Sequence, residues 1–223
     1  MTRTLIATAL VASALTGCVF LNRPQGKGAT DMDRFETDRL ILRRFVHEDW
    51  PDVQKLAIDK ESSEAAAWDH RWPTDEEGCK GATDFLARNN YWAVCLKDGG
   101  RVIGFISYNG IDENKHLDLG HLFHTKFNSQ DYDTEALRCM MDHAFTHLGV
   151  QSIHGDNAEE WTAQLAPLKE LGMRLKEPPP ELRGKKSSFR KNPDGTPIEF
   201  VGCRMEITRE EWARRRPQGE ALP

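Results

Sequence analysis

A strand-like segment in the middle of the chain carries the residues best suited to acid–base chemistry. In "KHLDLGHLFH" (115–124), residues alternate so that His116, Asp118 and His124 share one face of a β-strand, while His121 points to the other face. A carboxylate beside an imidazole can bring the pKa of the histidine near neutrality, so Asp118 and His116 are a possible acid–base pair. The alternative is that both are ordinary polar residues of a half-exposed strand. His116 and His124 would lie about 26 Å apart, too far for one metal ion.

The segment "NSQDYDTEALRCMMDHAF" (128–145) reads as the start of an amphipathic helix that could hold a phosphate group. Free N–H groups and partial positive charge at a helix N-terminus favour anions, and glycine lets the backbone approach a phosphate. Here Asp131 and Asp133 occupy the start, and no glycine lies between Phe127 and Leu148. A carboxylate about 4 Å from a phosphate charge costs about 4 kcal/mol at an effective dielectric constant near 20. The sequence therefore predicts a well-capped helix and a poor phosphate site.

The histidine and cysteine spacings do not indicate a metal site. His143 and His147 are four residues apart on the expected helix, a spacing that can present two ligands, but no HExxH pattern accompanies them. The cysteines of the domain are spread along the chain without a CxxC pair, as is typical of buried thiols: Cys79, Cys95, Cys139 and Cys203. We expect no metal ion and a plain helix face at the two histidines.

Apolar periodicity predicts the elements that must position these residues. Strands are predicted at 39–45, 91–97, 101–110, 115–124, 150–157 and 198–207, and helices at 47–59, 61–73, 74–90, 132–148 and 159–172. The turn "DGG" (98–100) between two β-rich runs indicates a hairpin. The polar loop 178–197 is either a lid or a surface hairpin. This order of elements predicts a mixed α/β domain.

Length, composition and charge are typical of one globular domain with tails. The chain has 223 residues, of which 39% are hydrophobic and 29% charged, and a net charge of −5 that argues against general nucleic-acid binding. The basic stretches at 183–191 and 214–216 are expected to be solvated surface.

The first eighteen residues, "MTRTLIATALVASALTGC", have the order of a secretory signal peptide: one positive charge, a short apolar run, and small residues before Cys18. "LTGC" resembles the bacterial lipobox, which implies cleavage before Cys18, lipid attachment to its thiol, and a protein anchored to a membrane of the cell envelope. Residues 19–33 would then be a linker, 34–208 the domain, and 209–223 a C-terminal tail. Alternatively, translation begins at Met32 and the protein is cytoplasmic.

Five short stretches carry a resemblance to a known family. "FETDRLILRRFVHEDW", "GRVIGFISYNG", "LDLGHLF", "YDTEALRCMMDHAFTHLGVQSI" and "LKELGM" follow one another across residues 34–207. Their order and spacing resemble the GNAT acetyltransferase superfamily, and within it the ribosomal-protein-alanine acetyltransferase branch. The resemblance implies a central, mostly antiparallel sheet flanked by helices. It also implies transfer of an acetyl group from acetyl-CoA, bound where two middle strands splay apart, to an amine of a small molecule or peptide.

The resemblance also suggests site residues. Asp118 would deprotonate the amine, with His116 and His154 as further catalytic candidates, and His154 and Asp156 could meet Asp118 across the splay. The candidate cofactor-binding residues are Leu119, His121, Asn128, Gln130, Asp131, Tyr132, Asp133 and Thr134. The candidate substrate residues are Trp68, Trp72 and Trp161. The first two tryptophans either bind a flat ligand or cover the core.

Several positions depart from the family pattern. The family's pyrophosphate motif, Arg or Gln followed at fixed spacing by two small residues, falls on Asn128, Asp131 and Asp133. Trp161 stands where the family has an asparagine beside CoA, and Leu168 where it often has the tyrosine that protonates the leaving thiolate. We predict a GNAT-type acyltransferase, monomeric or homodimeric. The alternative is a GNAT-fold protein that no longer uses CoA, acting as a ligand-binding module or as a different Asp/His enzyme.

Overall fold

The computed structural model describes residues 34–178 and 180–215. The predicted signal peptide, the linker up to residue 33, Cys18, Met32 and the tail from residue 216 lie outside these ranges. The elements are β1 (Arg34–Glu36), β2 (Leu40–Arg44), α1 (Trp50–Ser62), α2 (Ala65–Trp68), α3 (Glu76–Arg88), β3 (Tyr91–Leu96), β4 (Val102–Ile111), β5 (His116–Phe123), α4 (Tyr132–His143), β6 (Ser152–Ala158), α5 (Thr162–Glu170), β7 (Arg174–Lys176), β8 (Lys186–Lys191), β9 (Pro197–Thr208) and α6 (Arg209–Arg215). A 3₁₀ turn, Thr125–Gln130, precedes α4, and a π-helical turn, Ala144–Leu148, follows it.

All nine strands join in one sheet. The order is β1-β2-β3-β4-β5-β6-β9-β7, and β8 pairs with the first half of β9. Every pairing is antiparallel except that of β5 with β6. The predicted hairpin is present, because β3 pairs with β4 and the turn between them uses Gly99 and Gly100 at positive φ. The predicted mixed α/β fold with a mostly antiparallel sheet is confirmed.

The single parallel pairing is short, and this shapes the middle of the sheet. Strands β5 and β6 are in register at three positions, of which the last joins Asp118 to His154. Beyond that pair, β5 continues to Phe123 and β6 to Ala158 without pairing to each other. Each strand keeps its other neighbour, β4 and β9 respectively. A gap therefore opens in the sheet directly after Asp118 and His154.

Helices cover both faces of the sheet because each presents one apolar side to it. On one face α4 and the π-helical turn bury a helical stripe against the sheet, formed by Ala136, Leu137, Met140, Met141, Ala144 and Phe145. On the other face α1 and α3 bury Val53, Leu56, Ala57, Cys79 and Leu86. Full burial of a side chain of Leu or Met size contributes about 1.5–3 kcal/mol, so these stripes fix the helices on the sheet. Among the described residues, no helix is long and apolar enough to cross a bilayer.

The C-terminal third differs from the expectation in detail. The polar segment 178–197 forms β8, whose pairing with β9 makes it a surface hairpin. Helix α5 is shorter than expected, and Pro167 lies inside it without ending it, since Leu171 N–H still bonds the Pro167 carbonyl at 3.0 Å. Residues 209–215, assigned to the tail from sequence, form α6, and its Trp212 is buried against Phe145.

Candidate active site

Asp118 lies at the point where β5 and β6 separate. Its Oδ1 accepts a hydrogen bond from Asn109 Nδ2 at 3.2 Å, and Asn109 Oδ1 in turn accepts one from Ser107 Oγ at 2.9 Å. Burial raises the pKa of Asp118 above its usual value, although the nearby His154 and Arg204 oppose the rise. A carboxylate with a raised pKa is a stronger base than an ordinary aspartate, so the position suits proton abstraction.

A β-bulge brings Asn109 to Asp118. The register of β4 against β5 shifts between Tyr108 and Gly110, which leaves Asn109 as the extra residue. Gly120 makes room for this arrangement, because a Cβ there would stand 2.5 Å from Ser107 Oγ and 3.2 Å from Asn109 Nδ2. The bulge and the glycine together make room for the Ser107 and Asn109 side chains of β4, which form a hydrogen-bonded chain to the Asp118 carboxylate of β5.

Three further polar residues extend the cluster across β6 and β9. His154 is opposite Asp118 in register, and its Nδ1 is buried without a hydrogen-bond partner among the described residues. Burial, followed by the charge of Arg204, lowers the pKa of His154, so the imidazole is uncharged at neutral pH. Asp156 binds Arg204 through two hydrogen bonds of 2.7 Å. The structure thus brings His154 to Asp118, as expected.

The expected pair of Asp118 with His116 is not formed. His116 Nδ1 instead lies 3.2 Å from Asp112 Oδ2, in the turn between β4 and β5. The turn geometry explains the difference, because Asp112 Oδ1 also accepts the His116 backbone N–H at 2.8 Å and holds the two residues together. His124, at the far end of the strand, contacts Asp59 of α1 at 3.2 Å.

The start of α4 is occupied by its own carboxylates. Asp133 Oδ1 accepts the Thr134 N–H at 2.8 Å, and the Asp131 carbonyl accepts the Glu135 N–H at 3.0 Å. Asp131 has a left-handed backbone (φ 56°) and makes no side-chain cap, so Asp133 provides the carboxylate that the sequence led us to expect there. Burial raises the pKa of Asp133, and the charges of Asp131 and Glu170 raise it further.

Arg39, in the turn just before β2, binds the outer side of this helix start. Its Nε donates to Glu135 Oε2 at 2.6 Å, its Nη1 donates to the Gln130 carbonyl at 2.8 Å, and its guanidinium lies 4.4 Å from the centre of the Tyr132 ring. Gln130 and Tyr132, both expected to contact a cofactor, therefore serve to fix the helix start to the sheet.

A cavity of about 40 Å³ lies beside the end of β5. It is lined by parts of α1, the end of β5 and the starts of α4 and α5, including Asp59, Glu64, His121, Asn128, Asp133, Trp161 and Gln164. Gln164 Nε2 donates to the His121 carbonyl at 2.6 Å. His121 is 8% exposed, and its Nε2 has no hydrogen-bond partner among the described residues. Burial lowers the pKa of His121 to about 4, so its ring is neutral.

Only part of the expected cofactor set lines this cavity. His121, Asn128 and Asp133 do so. Leu119 is buried in the core, and Thr134 is buried with its Oγ1 donating to Glu170 at 3.2 Å. The remaining candidates, Gln130, Asp131 and Tyr132, are absent from the lining.

Comparison with known proteins supports the resemblance. Residues 39–174, most of the chain, match the acetyltransferase (GNAT) domain family. The chain belongs to this family. It is therefore an N-acetyltransferase-like enzyme of the acyltransferase class, as predicted from the sequence.

Solved structures with the same fold include three relevant acetyltransferases. A GNAT acetyltransferase from Bacillus anthracis has 18% identity and a TM-score of 0.62, over 80% of this chain and 99% of that one. A ribosomal-protein-S5-alanine acetyltransferase from Vibrio fischeri has 15% identity and a TM-score of 0.61, over 82% and 99%. The ribosomal L7/L12 α-N-protein acetyltransferase RimL, solved in complex with coenzyme A, has 15% identity and a TM-score of 0.59, over 77% and 95%. The GNAT fold is thereby confirmed.

GNAT acetyltransferases use acetyl-CoA, and the residues present can be tested against it. The gap between β5 and β6 and the carboxylate of Asp118 suit the reacting end of an acyl donor. The start of α4 does not fit a diphosphate, because its Thr134 amide is bonded to Asp133 and the charges of Asp131 and Glu170 act on the same place. Trp161 is 9% exposed and lines the small cavity, so it occupies space beside the donor position. The residues of this GNAT domain therefore suit the acyl end of acetyl-CoA better than its diphosphate.

Trp68 and Trp72 mainly cover the core on the α1 side. Trp72 is buried and stacks on Phe105 at 5.8 Å, and Trp68 meets Phe200 of β9 edge-on at 6.3 Å. Neither residue lines the cavity. Of the two interpretations left open by the sequence, the structure favours the hydrophobic cover.

The two histidines four residues apart lie at the end of α4 (His143) and in the π-helical turn (His147). His143 is buried beside Tyr108, and His147 Nδ1 lies 2.6 Å from Thr146 Oγ1. Within the described ranges, no group of three or more His, Cys, Asp or Glu side chains is arranged to hold a metal ion.

Sequence reasoning missed Asn109, Ser107, Arg204 and Gln164. The first carried a signal, because Asn-Gly inside a strand pattern is typical of a bulge. Ser107, Arg204 and Gln164 carried none, since their roles depend on how β4, β9 and α5 lie against β5 and β6.

Proposed function

We propose that this GNAT domain transfers an acyl group, acetyl in the simplest case, from a thioester donor of the acyl-CoA type to a primary amine, with Asp118 as general base. Membership of the family supports acyl transfer. The observation that carries the site is the position of Asp118, oriented by Asn109 at the last registered pair of β5 and β6.

Asp118 acts on the acceptor amine. At neutral pH a free amine carries a proton that must leave before its nitrogen can attack a carbonyl carbon. The Asp118 carboxylate accepts that proton, directly or through a water molecule, and its raised pKa favours the transfer. The neutral imidazole of His154 beside it can hold the proton next, because its buried Nδ1 has no partner among the described residues. Asp156 keeps Arg204 in place, and Arg204 stabilises the carboxylate form of Asp118.

The test gives the full-length protein an acyl donor and a panel of small amines and of peptides with a free amino terminus. Mass spectrometry detects the acylated products. Asp118→Asn should lower the rate by about 100-fold or more, the usual contribution of a general base. Asp112→Asn is a matched control in the same hairpin, because Asp112 bonds only the turn and His116 in the contacts described above. Equal rates for the Asp118→Asn variant and the unmodified protein would refute the assignment of the base.

A second candidate function is that of a GNAT-fold protein that no longer uses CoA, as a ligand-binding module or a different Asp/His enzyme. The carboxylates at the start of α4 favour it, as does Trp161 beside the cavity. Calorimetry with acetyl-CoA and with free amines separates the two. Amine binding without any acyl transfer from any thioester would support this second function.

We further propose that the protein is anchored to a membrane of the cell envelope through a lipid on Cys18, with the cytoplasmic form starting at Met32 as the alternative. The supporting observation is the order of charge, apolar run and lipobox before Cys18. Mass analysis of the natural N-terminus tests it, because a diacylated Cys18 and an unprocessed Met32 differ in mass and in sequence. The acceptor is proposed to be a small molecule or peptide rather than a nucleic acid, and size-exclusion chromatography with light scattering would distinguish a monomer from a homodimer.

A further inference from the structure

The start of α4 carries an unusual concentration of negative charge for a helix end beside a donor site. Asp131, Asp133 and Glu135 belong to the N-cap and the first turn, and Glu170 of α5 reaches the same turn through its bond from Thr134 Oγ1. Arg39 is engaged with Glu135 and with the Gln130 carbonyl on the outer side. Asp131, Asp133 and Glu170 therefore oppose any anion that approaches this end of the helix.

One backbone amide that would normally attract an anion is bonded to a side chain, and the next one along makes the first intrahelical bond. Asp133 Oδ1 accepts the N–H of Thr134, and the Asp131 carbonyl accepts the N–H of Glu135. A diphosphate would have to displace a carboxylate from its own helix start, at a site that also lacks the glycines needed for close approach. The Thr134 amide is thus bonded without a ligand, and an approaching anion would meet carboxylates at this helix end.

The neighbouring cavity has a different character. Its volume of about 40 Å³ admits a few water-sized groups. Its lining combines charged side chains, among them Asp59, Lys60 and Glu64, with the uncharged Asn128, Gln164 and His121. The buried Nε2 of His121 has no partner among the described residues, and the indole of Trp161 adds an apolar wall. A buried polar atom without a partner costs free energy, so a ligand group that bonds it would be favoured. A small uncharged group that bonds His121 Nε2 therefore suits this cavity, with its three carboxylates, better than a phosphate does.

We propose that the start of α4 selects acyl donors that lack a diphosphate, and that this enzyme prefers a short thioester with an uncharged arm to acetyl-CoA. The proposal rests on the proposed acyl transfer, but it concerns which donor binds. Asp133 is the residue that distinguishes the two kinds of donor, because its carboxylate accepts the Thr134 N–H and also lines the cavity.

The experiment compares two donors that share the acetyl-thioester arm. Calorimetry of the full-length protein at low salt measures the affinity of S-acetylpantetheine, which has no phosphate, and of acetyl-CoA. We expect S-acetylpantetheine to bind at least ten times more tightly. Asp133→Asn should strengthen acetyl-CoA binding by up to about a thousandfold, the value for one pair of charges about 4 Å apart before screening, and should change S-acetylpantetheine binding less than about threefold. Glu77→Gln is the matched control, because Glu77 is a first-turn carboxylate of another helix, α3.

Tighter binding of acetyl-CoA than of S-acetylpantetheine by the unmodified protein would overturn the proposal, as would an affinity ratio unchanged by Asp133→Asn. Absence of binding by both donors up to millimolar concentration would also overturn it. The binding measurements do not depend on turnover. If the expected ratio is observed while no amine is acylated, the donor preference stands and the proposed catalytic function fails. If amines are acylated efficiently from acetyl-CoA but the ratio is reversed, the catalytic function stands and the donor preference fails.

Discussion

Glu61, in α1, lies in a buried cluster of charges between α1 and β8. Replacing it with glutamine tests how much this cluster contributes to the stability of the domain. Its Oε1 accepts hydrogen bonds from Arg190 Nη2 at 2.8 Å, from the Trp72 N–H at 2.8 Å and from Lys60 Nζ at 3.1 Å. The Glu61 side chain is 15% exposed and that of Lys60 is 1% exposed. The carboxylate thus joins α1 to the loop between α2 and α3, which holds Trp72, and to the hairpin of β8 and β9.

The magnitude follows from the pKa of this carboxyl. Burial alone would raise the pKa of Glu61, but the bonds from Arg190, Trp72 and Lys60 lower it from 4.5 to about 2. A carboxyl whose pKa falls by this amount on folding contributes about 3 kcal/mol to the free energy of unfolding. Because the pKa is lower in the folded state, the contribution is complete above pH 4.5 and is lost as the pH falls toward 2. Glu61→Gln should therefore destabilise the domain by about 3 kcal/mol at pH 7.

The assay is urea unfolding of both proteins, followed by far-ultraviolet circular dichroism at pH 7, 5.5, 4 and 3. The difference in free energy should be constant from pH 7 to 5.5 and then shrink by up to about 1.4 kcal/mol per pH unit. Glu36→Gln is the control, because Glu36 also has a lowered pKa through Arg34 and Lys97 but is fully exposed, so its replacement should matter far less. A Glu61→Gln variant as stable as the unmodified protein at pH 7, or a deficit that does not shrink in acid, would refute the reasoning.

Three other substitutions probe the gap between β5 and β6. Asp118→Asn should raise the free energy of unfolding at pH 7, because folding raises the pKa of this carboxyl and so disfavours its ionised form. Urea unfolding measures this gain in stability. In the unmodified enzyme, kcat/KM should fall on acidification through a pKa above 3.8. Trp161→Ala should cost about 3–5 kcal/mol by the same method, the usual loss for a large buried aromatic side chain, and a loss below 1 kcal/mol would show that Trp161 is not packed. Gly120→Ala should cost about 1–3 kcal/mol, since its Cβ would meet Ser107 Oγ at 2.5 Å. Adding Ser107→Ala should recover most of that stability, and no recovery would place the clash elsewhere.

Elements with strong local signals were predictable from the sequence. The stripe of α4 at Ala136, Leu137, Met140 and Met141 has helical spacing, and the Asp-Gly-Gly turn joins β3 and β4 as expected. Strand β8 was not predictable, because "KSSFRK" is polar and largely exposed and owes its extended form to pairing with β9. The three residues of β7 are likewise exposed and lie on β9.

The arrangement of the site residues was predictable only where it depends on the alternation of side chains along a single strand. Alternation along β5 separated Asp118 from His121, and the structure places them in different surroundings as a result. The partner of His116 depended on the turn at Asp112, and the contacts of Arg204 depended on the register between β6 and β9. Gln130 and Tyr132 lie within the family motif in sequence but contact Arg39, because this cation, just before β2, binds the Gln130 carbonyl and lies over the Tyr132 ring.

The pairing of β9 with β6, β7 and β8 has a consequence for how the chain acquires its structure. One wall of the gap, β6, is held on its far side by residues 202–208, which follow it by some fifty positions. Closing so long a loop slows the formation of such contacts, and on the ribosome β9 emerges after all the other strands of the sheet. The carboxylate and imidazole at the separation of β5 and β6 therefore come into register late. A nascent chain that ends before residue 208 would expose an unpaired strand edge instead of a working site.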